Sequence, residues 1–81
     1  MLVTVYYHAL LRETTGKPSE EIELPEDARV GALLPVLCQK YPSIRGLQSS
    51  LQMAVNDEFA NPSQKLSAGD RVDLLPPFGG G

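Results

Sequence analysis

The residues with chemistry to offer stand at the end of the sequence, where Pro76, Pro77, Phe78, Gly79, Gly80 and Gly81 follow a short apolar stretch from Arg71 to Leu75 and a Gly69-Asp70 turn. A double proline cannot donate to a sheet ladder, and its fixed φ favours a stiff extended stub, so the chain should leave any sheet after Leu75 and project. Phe78 would stand on that stub. Three residues without a Cβ can enter a passage too narrow for other side chains and carry a carboxyl group into a partner's buried site. A free α-carboxylate is ionised at neutral pH and resists nucleophiles. Adenylated, it becomes an acyl group with a good leaving group: sulfide or persulfide attack would give a thiocarboxylate, amine attack an amide. A bare Gly-Gly-Gly end also has an inert reading, as a frayed terminus or a cloning scar. The strand, the two prolines and Phe78 weigh against that reading, because a scar has no reason to follow directly on an ordered anchor.

Other residue types capable of chemistry lack partners at useful spacing. Cys38 is the only cysteine. It lies on an apolar helical stripe, where a thiol behaves as a small buried hydrophobe; a persulfide carrier is the competing reading. His8 is the only histidine, and no second ligand or paired carboxylate flanks it, so a structural role is expected and no metal site. Glu20, Glu21 and Glu23 are read as a solvated strand edge rather than a catalytic carboxylate pair.

The elements that must position the tail follow from periodicity. Leu2 to Ala9 reads as a strand with Val3, Val5 and Tyr7 on one face and Leu2, Thr4, Tyr6 and His8 on the other; both faces are largely apolar, which suits the interior of a sheet. Leu10 to Thr15 predicts a single helical turn that Gly16 ends. Glu20 to Leu24 alternates as a half-exposed strand and forms the second arm of an antiparallel pair. From Val30 the apolar residues Leu33, Leu34, Leu37, Cys38 and Tyr41 recur at helical spacing. Pro35 inside that helix would cost about 3 kcal/mol if the helix were regular there, which predicts a kink or a loosened first turn. Arg29 occupies the capping position, so Asp27 is expected to cap from slightly earlier. Pro42 ends the helix, and the connector from Ser43 to Ser50 carries Ile44 and Leu47 inward.

Leu51 to Val55 and Glu58 to Ala60 predict short strands around an Asn56-Asp57 turn. Leu66 is the buried peg of the following loop, and Arg71 to Leu75 is the last strand. The order is strand, strand, helix, strand, strand, strand. It suggests a mixed sheet around one main helix, with the first and last strands adjacent and parallel. If Val72 and Leu74 face the helix, alternation sends Leu75 to the opposite face, where Tyr7 and Phe59 would join it in an exposed apolar patch beside the tail. A loop covering these residues is the competing arrangement.

Composition bounds the rest. The chain has 81 residues, 42% of them hydrophobic and 21% charged, the balance of one small folded domain. A domain of this size buries only about 60% of its unfolded surface and gains from a partner. Formal charge is −3, and the basic residues are scattered, which argues against nucleic acid. No apolar run approaches the roughly 20 residues that span a bilayer. Met1 leads straight into a strand without a signal peptide, and a single cysteine forms no internal disulfide, so a cytoplasmic location is expected.

The stretches Ala54-Val55-Asn56-Asp57-Glu58-Phe59, Leu66-Ser67-Ala68-Gly69-Asp70-Arg71-Val72 and Leu75 to Gly81 resemble the MoaD/ThiS family of sulfur carriers, which includes the small subunit of molybdopterin synthase. Val5-Tyr6-Tyr7, Leu11-Arg12-Glu13 and Gly16 resemble it too, and the most specific piece is the double proline shortly before a terminal Gly-Gly. The resemblance implies an α+β, ubiquitin-like β-grasp domain over residues 1–75 and a flexible tail over 76–81. It implies that Gly81 is adenylated at the expense of ATP by a ubiquitin-activating-like adenylyltransferase and then carries sulfur covalently as a thiocarboxylate. In a heterotetramer with the large subunit, that sulfur would pass to a pterin precursor, with no cofactor bound by this chain. It implies that Tyr7, Phe59, Leu75, Pro76, Pro77, Phe78, Gly79 and Gly80 meet the partner. Gly79 departs from the Ala or Ser common in the family, and Phe78 is bulkier than the usual aliphatic residue, so the tail should be looser and the receiving groove different. The thiamine-pathway carrier and a ubiquitin-like protein modifier are the rival roles, and a binding module with an inert tail is a third.

Overall fold

A computed structural model of the chain describes residues 1–76, so the expectations placed on Pro77, Phe78, Gly79, Gly80 and Gly81 lie outside the described residues. Strands β1 (Leu2–Tyr7), β2 (Ser19–Glu23), β3 (Gln52–Val55), β4 (Glu58–Phe59) and β5 (Arg71–Leu75) form one sheet in the order β2-β1-β5-β3-β4. β1 and β5 pair in parallel at its centre, and the other pairings are antiparallel. Helix α1 (Leu10–Thr15) follows β1, and helix α2 (Leu33–Lys40) lies between β2 and β3. This is the β-grasp arrangement.

The core lies between α2 and one sheet face. Val3 and Val5 of β1, Met53 and Val55 of β3, and Val72 and Leu74 of β5 pack there with Leu33 and Leu37 of α2 and with Ile44. Burial of each such side chain contributes about 1.5–3 kcal/mol relative to exposure. Alternation along the strands sets this face, because every second residue points to it.

Local chemistry explains the connections. Gly16 ends α1 in the left-handed region at φ 77°, a conformation free of steric cost for glycine. Asn56 and Asp57 both have positive φ, 49° and 73°, the primed turn that matches the twist of a two-residue hairpin. β1 ends at Tyr7, two residues earlier than alternation suggests, because Ala9 turns the chain into α1 at φ 51°.

The entry to α2 corrects the expectation for Asp27. Arg29 is the first cap residue, and no side chain caps this end. Instead the Val30 N–H donates to the Gln64 carbonyl at 2.9 Å and the Gly31 N–H to the Pro62 carbonyl at 2.9 Å, so a distant loop satisfies the open donors of the first turn. That turn is 3₁₀ over Val30–Ala32, and the α-helix proper starts at Leu33. Pro35 therefore sits in the first α-helical turn, where a missing N–H costs little, and the loosened start is the form the chain takes.

The reading of Glu20 as a solvated edge is also corrected. Its carboxylate is only 10% exposed and joins β1, β2 and the end of α2. The hydroxyls of Tyr7 and Tyr41 both donate to Oε2 at 2.5 Å, while Lys40 lies 2.9 Å and Lys17 3.6 Å from Oε1. Burial by itself would raise the Glu20 pKa, but hydrogen bonds from Tyr41, Tyr7 and Lys40 outweigh it and lower the value from 4.5 to about 2.

Glu20→Gln is expected to cost about 1–3 kcal/mol of stability, since the tyrosine hydroxyls lose a charged acceptor; urea unfolding of the variant measures it. A carboxylate whose folded pKa lies below its unfolded value stabilises fully above the unfolded value and loses that contribution as pH falls through the folded one. Wild type should therefore lose stability between about pH 5 and pH 2, and the Glu20→Gln chain should lose less over the same range. Gly31→Val, which places a Cβ 3.1 Å from that of Pro62, is expected to cost about 1–3 kcal/mol by overpacking, read as a lower thermal midpoint.

Candidate functional site

The sheet face turned away from α2 carries the root of the tail. Register places Phe59, Ala54, Asp73, Tyr6 and Ser19 in one row across the five strands. Gln52 and Leu75 pair in the next row. Arg71, Thr4 and Glu21 form a row on the other side. Leu75 and Pro76 are half-buried, and Leu75 ends β5. The Leu74 carbonyl accepts from the His8 N–H at 3.3 Å, which ties the end of β5 to the chain leaving β1. Phe59 is 70% exposed, an uncommon position for a ring of that size.

Charge is organised at the centre of this face. Arg71 Nε donates to Asp73 Oδ2 at 3.1 Å and Nη2 to Oδ1 at 3.1 Å. His8 Nε2 lies 2.7 Å from Oδ1 of the same carboxylate. The guanidinium carbon of Arg71 sits 3.9 Å from the centroid of the Tyr6 ring, within cation-π range. The hydrogen bond from Arg71 outweighs partial desolvation and, with that from His8, holds the Asp73 carboxyl below its ordinary range. Asp73 in turn raises the Arg71 pKa above its ordinary value. Asp73 is thus a buried acid on the sheet face turned away from α2, held in its ionised form by a forked partner.

Sequence reasoning brought Phe59 and Leu75 to this face correctly and Tyr7 incorrectly. Tyr7 is fully buried. In a parallel pair, residues opposite one another share a face, and Tyr7 stands opposite Leu74, on the core side. Its hydroxyl reaches Glu20, and burial together with that carboxylate pushes the phenol far above its ordinary pKa. Its ring meets Tyr41 edge-on at 6.1 Å. Tyr6, paired with Asp73, is the tyrosine on the open face. Cys38 is buried in the core, 3.7 Å from Gln48 Oε1. The acidic partner of Arg71 was missed, although alternation alone puts Arg71 and Asp73 on one face two residues apart.

A groove of about 360 Å³ opens at the β3–β4 edge, lined by Val30, Leu34, Leu51, Met53, Phe59 and Pro62 among others. Among the described residues no helix is long and apolar enough to cross a membrane, and no His, Cys, Asp and Glu cluster is composed to hold a metal ion.

Residues 5–81 match the model of the ThiS family. The molybdopterin synthase sulfur carrier subunit of Mycobacterium tuberculosis is 40% identical, over 98% of this chain and 96% of its own. The protein of the same name from Chlamydomonas reinhardtii is 31% identical over the whole of both chains. Among solved structures, SAMP1 of Haloferax volcanii superposes over the whole of both chains with a TM-score of 0.86 at 26% identity.

The two aromatic positions should separate in mutagenesis. Tyr7→Phe is expected to cost about 1 kcal/mol or more because it removes a buried hydrogen bond, whereas Phe59→Ala should change stability by no more than about 0.5 kcal/mol. Paired urea denaturation curves check both.

Proposed function

Because the chain belongs to the ThiS family, we propose that it is the sulfur carrier subunit of a molybdopterin synthase, acting through the carboxyl group of Gly81. The observation that carries this reading is the 40% identity, over nearly the whole of both chains, with a sulfur carrier subunit of that enzyme. The tail root at Leu75, on the same sheet face as the exposed Phe59 with β3 between them, supports it.

In this reading residues 1–75 are the handle and residues 76–81 the working part. The Gly81 carboxylate attacks the α-phosphate of ATP on a ubiquitin-activating-like adenylyltransferase, and pyrophosphate leaves. A sulfur nucleophile at the oxidation level of sulfide then attacks the acyl carbon, AMP departs, and a thiocarboxylate remains. Sulfur is a stronger nucleophile than the oxygen it replaces, and in the large subunit it is delivered to the pterin precursor to build the dithiolene. Two consecutive prolines at 76 and 77 cannot donate to a sheet ladder, and their role in this reading is to keep the tail free for the partner. Gly79, Gly80 and Gly81 fit a narrow channel, and Phe78, Phe59 and Leu75 bind the partner. Acid and base groups belong to the large subunit, so this chain alone is not a catalyst. Its place of action is the cytoplasm.

A second reading is conjugation: amine attack on the same adenylate would join Gly81 to a lysine of a target protein. The superposition on SAMP1, together with a second solved structure described as small archaeal modifier protein 1, favours keeping it.

Intact-mass analysis after incubation with the adenylyltransferase, ATP and a sulfur donor is expected to show one oxygen exchanged for sulfur in the wild type and no exchange in a chain lacking Gly81. Loss of Gly81 should also abolish dithiolene formation in the reconstituted synthase. Cofactor synthesis that persists without Gly81 would overturn the sulfur-carrier reading. Ladders of conjugates in the native host would support the modifier.

A further inference from the structure

The open sheet face holds an arrangement that the carrier chemistry does not use. Arg71 spends Nε and one Nη2 hydrogen on Asp73, and Nη1 has no partner among the described residues. A guanidinium carries five N–H donors in a rigid fork, so three remain, and the Nη1–Nη2 edge presents two of them side by side. The side chain is nevertheless held in place by the forked pair with Asp73 and by the Tyr6 ring beneath it. It is 48% exposed, while Asp73 is 10% exposed. An exposed arginine ordinarily samples many rotamers. This one has already lost that freedom in the folded chain, so docking would cost it little further entropy.

We propose that Arg71 is a specificity-determining residue of the docking face, taking a carboxylate of the large subunit on its free Nη1–Nη2 edge; this rests on the sulfur-carrier reading. Two parallel donors on a planar fork match the two oxygens of one carboxylate, and Arg–carboxylate pairs take this form. The surroundings fit an interface centre: Tyr6 and Leu75 lie on the same face, and aromatic residues and arginine dominate well-packed contacts. Covering the face does not strand Asp73, because the Arg71 guanidinium already neutralises it and His8 lies within hydrogen-bond distance of it. Arg71 also stands on β5, four residues before the strand ends at Leu75.

The test measures binding of the purified large subunit from the same host by calorimetry, at low and high salt, for wild type, Arg71→Lys, Arg71→Met and a chain lacking Gly81. Arg71→Met is expected to weaken the complex about tenfold or more and to flatten its salt dependence. Arg71→Lys keeps the charge but not the fork and should weaken binding by a similar factor, while a cooperative thermal transition shows that the chain remains folded. The chain lacking Gly81 should show the same dependence on Arg71 although it transfers no sulfur, which separates failure of this proposal from failure of the carrier reading. Wild-type affinity in Arg71→Lys overturns the proposal even if Arg71→Met unfolds. A sedimentation result in which the chain forms dimers that Arg71→Met abolishes, with affinity for the large subunit unaltered, overturns it as well by naming a second copy as the occupant.

Discussion

The parallel pairing of β1 with β5 ties the first strand of the chain to the last in the middle of the sheet. Parallel strands point the same way, so the C-terminal ends of both lie together: Tyr7 and His8 on one, Leu74 and Leu75 on the other. The strand that precedes the tail is a central strand, hydrogen-bonded on both sides. Were β5 an edge strand, fraying there would release the tail root. The exit point is fixed because the ladder on either side must open before it can move.

A second constraint operates at the opposite face. Glu20 gathers Tyr7 from β1, Tyr41 from the end of α2 and two lysines, so the helix is pinned to the β1–β2 hairpin by charge-assisted bonds as well as by packing. The loop carrying Pro62 and Gln64 secures the other end of the helical segment by supplying carbonyls to its first N–H groups. Helix, hairpin and loop thus brace one another, which matters in a domain of this size because the core alone gives little margin.

Two consecutive tyrosines show how the sheet divides its labour. Tyr7 goes inward to a carboxylate that stabilises the fold, and Tyr6 goes outward, beneath the guanidinium of Arg71. Each face thus holds an acid kept ionised by its neighbours, Glu20 within and Asp73 without. The inner one serves stability. The outer one is already paired, so the face can be covered by a partner without leaving a charge unmatched.

Much of this was legible in the residues because it rests on local rules. Apolar spacing fixed α2, Asn56-Asp57 marked the tight hairpin, Gly16 ended α1, and Leu66 was recognisable as a peg in a polar loop. The Pro-Pro and Gly runs gave the tail its chemical reading without any structure, since those constraints lie in single residues. What tertiary structure decided was register and distant partners. Alternation separates Tyr6 from Tyr7 but does not say which of them faces Leu75; that depends on which residue of β5 each meets, and sliding one strand by a single residue reverses the answer. Nor does periodicity show that Glu20 bonds a tyrosine 21 positions later, or that carbonyls from the loop after β4 replace an absent helix cap. Such contacts join segments far apart in the chain, and no spacing within either segment encodes the other.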